Sequence, residues 1–408
     1  MNRVAVTGIG VLSPVGNNIK DFWNAITSGE NGIAPITRFD TSGTKYTLAA
    51  EVKNFDPYKY MDKQSAGRTD RFAQYAVCVA EEAVQSSGIL ENVAPERFGV
   101  YFGSGIGGFE TMCQEHSVLL ERGPKRVSPL FIQKMITNIA SGILAIRYGA
   151  KGPVMSLSTA CASGTTAIGE AYRAIAAGYA DAILCGGSEA AITPLGVAGF
   201  GSCQALSPSA DPDAASIPFD KRRSGFVMGE GAGALILEDY DHAVRRGAAI
   251  LCEVVGYGST CDAYHVTSPN PEAAESSRCI ADSITGIRDI PAERIYYNAH
   301  GTGTKLNDAS ETLALKKVFS DAAGKLHISS TKSMTGHMLG AAGGAEAVAA
   351  ICALLYDTVP PTINLTEPDP ECDLDYTPQT AQKTPLEASL SASFGFGGHN
   401  ACVAFRKI

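Results

Sequence analysis

A cysteine and two histidines, far apart in the chain, are the residues whose setting points to covalent chemistry. Cys161 lies in Ser158-Thr159-Ala160-Cys161-Ala162-Ser163-Gly164. The apolar run before it, 154–158, reads as a buried strand, and the apolar residues of 165–175 recur near helical spacing. A thiol at such a junction meets the unpaired N–H groups of the first helical turn. That positive end favours the thiolate, which is the nucleophilic form. The competing reading is a small cysteine packed in a turn. His300 ends the apolar stretch Tyr296-Tyr297-Asn298-Ala299, just before Gly301-Thr302-Gly303-Thr304. His337 follows another strand-like run, 328–330, and precedes an Ala/Gly-rich helical stretch. Active-site residues of α/β folds collect at the carboxyl ends of strands, and all three residues occupy that kind of position. Only seven histidines are present, so two at strand ends beside glycines point to a site shared with the cysteine.

The elements that must position them alternate along the chain. Strand candidates cover 4–8, 98–102, 154–158, 182–185, 234–237, 295–299 and 328–330, with Ala-rich helical stretches between them. Such alternation implies an α/β fold with mostly parallel, buried strands. The sequence around Cys161 and around His337 shares one pattern of strand, Ser/Thr-Gly turn and Ala/Gly-rich helix. This suggests two duplicated halves, 1–250 with the cysteine and 251–408 with both histidines, in one compact unit without a linker.

Composition narrows the class. A chain of 408 residues, 45% hydrophobic, can bury a large core. Eleven cysteines, with neither C-x-x-C pairs nor zinc-type His spacing, argue against a disulfide framework or a metal and for a reducing, cytoplasmic setting. No signal peptide is expected from the opening residues. The apolar helix candidate 341–355 is interrupted by Glu346 and reads as too short to span a bilayer, so no membrane insertion is expected. The net charge of −9 disfavours nucleic acid as a partner. Gly103-Ser104-Gly105-Ile106-Gly107-Gly108 satisfies G-x-G-x-x-G but lacks the following helix start and acidic residue of a dinucleotide site, so close backbone packing is the expected role.

The segments around Cys161, His300 and His337 together resemble the β-ketoacyl-[acyl carrier protein] synthases, with the elongating synthase II type the nearest match. Val4-Ala5-Val6-Thr7-Gly8-Ile9-Gly10, Phe226-Val227-Met228-Gly229-Glu230-Gly231-Ala232-Gly233 and Ser393-Phe394-Gly395-Phe396-Gly397-Gly398 resemble further family signatures, in the same order. The resemblance implies a thiolase-type fold, whose duplicated halves form a five-layered α-β-α-β-α core. It implies a decarboxylative condensation that lengthens an acyl chain by two carbons. Cys161 would carry the acyl group, His300 and His337 would donate hydrogen bonds to the enolate oxygen, and Lys332 would act through its charge. Backbone N–H groups of Cys161 and Phe396 would hold the acyl oxyanion. Ile106, Phe200, Phe394 and Phe396 would border the acyl pocket, with Phe396 as its gate. Thr302 and Thr304 would bind the phosphopantetheine arm of an acyl carrier protein. Glu346 and Asn298 would be structural, the former as partner to Lys332 or as ligand of a monovalent cation. No other cofactor is implied.

An acidic carrier protein meeting an acidic enzyme needs a local basic patch. Lys125 and Arg126 are the first candidates, with Lys63 and Arg68, in a group with Arg71, as a second. The family pattern has arginine where Ser209 stands and threonine where His399 stands, which leaves part of the docking surface and the gate open. The resemblance also implies a homodimer. Alternatives are the ketosynthase of an aromatic polyketide system, a non-catalytic chain-length subunit, which would lack the cysteine, and a thiolase-type acyltransferase, which would use a second reactive cysteine.

Overall fold

The run Val-Ala-Val-Thr-Gly-Ile-Gly-Val-Leu carries no charge and forms a strand buried along its whole length, Val4–Leu12 (β1), as a strand covered on both faces should. In the computed structural model, which describes residues 1–408, β1 belongs to a ten-stranded sheet. The first five strands are β1, Phe98–Gly103 (β2), Val154–Leu157 (β3), Ala182–Glu189 (β4) and Gly231–Asp239 (β5), in the order β3-β2-β4-β5-β1. The next five are Cys252–Cys261 (β6), Ile295–Asn298 (β7), His327–Ser329 (β8), Ala388–Gly395 (β9) and His399–Arg406 (β10), in the order β8-β7-β9-β10-β6. Counted within its own set, each order is third, second, fourth, fifth, first. Strand directions repeat as well. β2 lies parallel to β3 and β4, while β5 runs against β4 and β1. β7 lies parallel to β8 and β9, while β10 runs against β9 and β6. The sets join where β1 pairs antiparallel with β6, Val4 opposite Val254.

The sheet is therefore mixed, where mostly parallel strands were expected from the alternation. The cause is the fifth strand of each set, which turns back on its neighbours. β10 returns from β9 through Phe396-Gly397-Gly398, and a reversal this tight can only make an antiparallel pair. Gly397 (φ +89°) and Gly398 (φ +77°) supply the left-handed conformations that it needs. β3 also departs from expectation. It is the last strand of its set, with one neighbour, and leaves Val154 and Met155 41% and 47% exposed instead of buried.

Helices build three layers around the two sets. Arg71–Ser87 (α1) covers the outer side of β1 and β5. Ser163–Ala176 (α2) and Ala342–Tyr356 (α5) lie between the sets, α2 against β4 and β10, α5 against β5 and β9. Ala274–Ser283 (α3) covers β6 and β10, and Lys305–Phe319 (α4) packs on α3. Three apolar clusters fill the spaces between layers, the largest around α2 and α5. With the preceding turn Leu339–Ala341, α5 makes an apolar run of 18 residues with a mean hydropathy of 1.6. That is long and apolar enough to cross a membrane, contrary to the length expected from sequence, but 89% of it is buried between the two sheets.

The N-terminal turns of α2 and α5 touch through backbone. A Cβ on Gly164 would lie 2.7 Å from Gly344 N, and one on Gly343 would lie 2.4 Å from Thr165 N. Only glycine permits that approach, and it brings the segments leading into the two helices, with Cys161 and His337, side by side.

Candidate active site

Cys161 sits in the single turn Ala160–Ala162 that runs directly into α2. Ala160 adopts φ +51°, a conformation that costs energy for a residue with a Cβ. Ser163 holds it there, donating from Oγ to Ala160 O at 2.6 Å and accepting from Thr159 N–H at 2.9 Å. The backbone N–H groups of Cys161 itself and of Phe396 favour the ionised sulfur. Gly395 allows this, because a Cβ there would sit 3.2 Å from Cys161 N. Burial pushes the thiol up to about 12, against the downward pull of Lys332 and the two N–H groups, while Glu189 adds to the rise. The expected thiolate is thus reversed at rest: desolvation outweighs the helix end, and Cys161 stands as a thiol.

His300 and His337 are both buried, with ring centroids 5.3 Å apart and planes at 85°. They line one cavity together with Cys161. Burial, reinforced by the charge of Lys332, holds both well below the usual imidazole range, with His337 lowering His300 further. Both rings are therefore neutral near pH 7, and each offers one N–H donor. Neither Nδ1 has a protein partner. Glu311 pins the His300 backbone, its carboxylate accepting from the N–H groups of His300 and Gly301, each at 2.8 Å, and from the Tyr297 hydroxyl at 3.0 Å. Burial pushes Glu311 up to about 7 against those donors. His337 is fixed by the segment 226–229. Its N–H donates to Val227 O at 2.7 Å, its carbonyl accepts from Gly229 N–H at 2.8 Å, and Phe226 meets the ring edge-on at 5.0 Å.

Lys332 is buried in an ion pair with Glu346 of α5. Burial raises Glu346 and Lys332 lowers it. Three buried oxygens remain without a partner here: Glu346 Oε2, Asn298 Oδ1 and Ser391 Oγ. Asn298 and Ser391 stand opposite each other on β7 and β9.

The remaining predicted residues divide by place. Phe200, Phe394, Phe396, Thr302 and Thr304 line the cavity. The two threonine hydroxyls lie 3.0 Å apart, bonded to each other. Ile106 does not line it. It packs on the apolar cluster that holds Cys161 and Phe200, and it lines a second cavity with Phe109, Met112 and Met135. Lys63, Arg68, Lys125 and Arg126 are exposed, and Arg71 is half-buried and paired with Glu110 at 3.0 Å. Ser209 turns inward on its own loop, its hydroxyl donating to Asp211 O at 3.3 Å. His399 stands opposite Gly395 and Cys261, its ring against Gly397. In the glycine-rich loop the N–H groups of Gly105 and Ile106 bind the Glu189 carboxylate, at 2.8 and 3.2 Å, which leaves no phosphate cradle.

Sequence reasoning passed over Glu189 and Glu311. For Glu189 the available signal was a lone acid between apolar and small residues at the end of β4; Glu311, in the polar stretch 305–312 of α4, gave none. Asp262 was missed too. It lines the cavity and accepts from Asn400 Nδ2 at 2.7 Å, tying the far wall to the strand after the Phe396 turn.

The Beta-ketoacyl synthase N-terminal domain matches residues 1–243, and the Beta-ketoacyl synthase C-terminal domain matches residues 251–366. The chain belongs to the β-ketoacyl synthase family. A 3-oxoacyl-[acyl-carrier-protein] synthase 2 of Synechocystis is 50% identical to it, over 99% of this chain and 98% of the relative. The protein of that name from Coxiella burnetii is 47% identical, over 100% and 99%. A crystal structure of a β-ketoacyl synthase from Burkholderia phymatum superposes with a TM-score of 0.92 at 34% identity, covering all of both chains. A polyketide ketosynthase in complex with its acyl-carrier protein superposes at 0.90 with 34% identity, over 100% of this chain and 99% of that one. The five layers and repeated strand order described above are those of the family's thiolase-type fold.

Proposed function

We propose that Cys161, His300, His337 and Lys332 carry out the family's condensation in two half-reactions. The protein is an elongating condensing enzyme of fatty-acid synthesis, an acyltransferase that joins an acyl group to a two-carbon unit from a malonyl thioester and yields a 3-oxoacyl thioester. The observation that carries the residue roles is the meeting of one thiol and two neutral imidazoles in a single cavity.

In the first half-reaction the Cys161 sulfur attacks the carbonyl of an acyl thioester. The bond to the carrier thiol breaks, and the proton of Cys161 leaves with the departing sulfur. In the second, the bond between the malonyl methylene and its carboxylate breaks and carbon dioxide departs. The electron pair moves onto the thioester oxygen as an enolate, which His300 and His337 stabilise by N–H donation. The enolate carbon attacks the acyl carbon on Cys161. The resulting oxyanion takes the N–H groups of Cys161 and Phe396, the carbon–sulfur bond breaks, and the departing thiolate takes a proton from solvent to regenerate the Cys161 thiol. Lys332 stays charged and biases both steps through its field.

The carrier is an acyl carrier protein. A likeness to a ketosynthase solved with such a carrier supports this reading, as do the exposed Lys125, Arg126, Lys63 and Arg68. Thr302 and Thr304 on the cavity wall suit the amides of a phosphopantetheine arm, and Phe396, on a turn with two flexible glycines, suits a gate. A homodimer is supported by β3, a sheet edge with unpaired backbone and exposed Val154 and Met155 that a second copy would cover. Eleven free cysteines support a reducing compartment, the cytoplasm. A monovalent cation fits Glu346, Asn298 and Ser391, whose unpartnered oxygens suit a hard ion. It would supply charge balance and no step of the reaction.

The test is to present the purified protein with acyl and malonyl carrier-protein thioesters and to follow 3-oxoacyl product, with peptide mapping of the acyl group. Acylation at Cys161 alone is expected despite ten other cysteines, and labelling that survives Cys161→Ala would contradict the nucleophile. An aromatic polyketide ketosynthase remains the second reading because the ketosynthase of a type II polyketide system and a ketosynthase paired with a chain-length factor superpose closely, at 34 and 33% identity. Activity that requires a chain-length partner subunit would favour it.

A further inference from the structure

One buried carboxylate has no part in the condensation. Glu189 ends β4 with no exposed surface, and neutral donors saturate both of its oxygens. Oε1 accepts from Ser104 Oγ at 2.9 Å and from Ile106 N–H at 3.2 Å. Oε2 accepts from Gly105 N–H at 2.8 Å and from Gly340 N–H at 3.1 Å. Ser104 Oγ accepts from Gly107 N–H at 3.0 Å, so its proton points to Glu189. Each of these contacts supplies a proton and none receives one, so they favour the ionised carboxylate against burial, which pushes Glu189 up. The two glycines exist for this approach. A Cβ at Gly105 or at Gly340 would come within 2.8 or 2.7 Å of Oε2.

The donors come from separate walls of the site. Gly340 follows His337 by three residues. Gly105 packs toward the nucleophile turn, where its Cβ would lie 3.4 Å from Ala160 O. Ile106 packs on the apolar cluster that holds Cys161, and its side chain also lines the second cavity with Phe109, Met112 and Met135. Hydrophobic side chains make up most of that cavity's lining, as in sites that take apolar ligands. We propose that Glu189 is a positioning residue that fixes Ile106 at the boundary between Cys161 and the second cavity, and thereby sets which acyl chain lengths Cys161 accepts. The inference rests on the condensing reading above and adds a specificity determinant to it.

Glu189→Gln is the direct test, because an amide keeps one acceptor oxygen and turns its NH₂ toward the other pair of donors. Acyl transfer to Cys161 is measured with carrier thioesters of graded length, in wild type, Glu189→Gln, Ile106→Ala and the double variant, with thermal unfolding of each. If Glu189 acts through Ile106, Glu189→Gln shifts the long-to-short transfer ratio by about tenfold or more, and that shift disappears in the Ile106→Ala background. A smaller shift, an equal decline at every length, or an undiminished shift in the double variant overturns the proposal. Should Glu189→Gln fail to fold, Ser104→Ala, which keeps the carboxylate but removes a donor from the oxygen that holds Ile106, is read in the same way. A wild-type protein that takes no acyl chain of any length overturns the condensing reading itself, and this is seen before any variant is compared.

Discussion

Cys161 rests as a thiol at about 12, and only the thiolate reacts. Alkylation by iodoacetamide should therefore climb about tenfold per pH unit through the neutral range and beyond, with no plateau below about pH 9. Removing the neighbouring positive charge in a paired Lys332→Met/Glu346→Gln variant, which leaves no lone buried ion, should slow alkylation at fixed pH. A plateau near neutrality would mean that the thiolate already exists at rest. The histidines titrate in the opposite sense. Burial and Lys332 hold their protonation below the ordinary 6.5, so the neutral donors survive into mildly acidic solution. Malonyl decarboxylation should persist at about pH 6, where an ordinary imidazole is largely protonated. Replacing either histidine with alanine should cut decarboxylation by about 10²–10³, far more than acylation of Cys161. Equal loss of both steps would point to a structural role. That Cys161, His300 and His337 meet in one cavity was legible in the sequence, because each stands where an apolar run gives way to small residues. Glu189 and Glu311 were not, since their roles depend on which N–H groups the fold brings across from 105–106, 340 and 300–301.

Strands β6, β9 and β10 escaped the sequence reading, and β9 shows why. Its alternating residues Ser389, Ser391 and Ser393 are polar yet buried, facing the middle helices instead of water. Ser389 Oγ donates to Ala350 O at 2.9 Å, and Ser393 shares a hydrogen bond with Thr165 at 2.8 Å. Polar alternation usually marks a solvated face, so the signal pointed the wrong way. The repeated strand, turn and helix around Cys161 and His337 was visible because both elements open a middle-layer helix with the same small residues. The glycines where those helices touch make a sharp prediction. Gly164→Ala places a methyl 2.7 Å from Gly344 N, and overpacking of this kind costs about 1–3 kcal/mol. The variant should unfold at lower temperature and lose condensation more steeply than stability, because the clash displaces Cys161 relative to His337. Gly178→Ala, on a loop with open space around it but at φ +81°, provides a comparison in which stability falls and the site is untouched.

At the scale of the whole molecule, a net charge of −9 opposes any acidic partner, so encounter must depend on local positive surface. Charge reversal at Lys125 and Arg126 should raise KM for the carrier protein while turnover of small thioesters stays nearly unchanged. Added salt should weaken wild-type carrier binding, because exposed charges are screened beyond about 10 Å at 0.1 M ionic strength. Indifference to both treatments would remove this face as the docking surface. The repeated strand order carries a different consequence. The proposed nucleophile comes from the first set of strands and both imidazoles from the second, so on this reading the reaction happens on a seam and belongs to neither side of it. Small slippage along that seam would silence the protein while leaving each side folded, and variants that lose far more activity than stability should map to the line where α2 crosses α5.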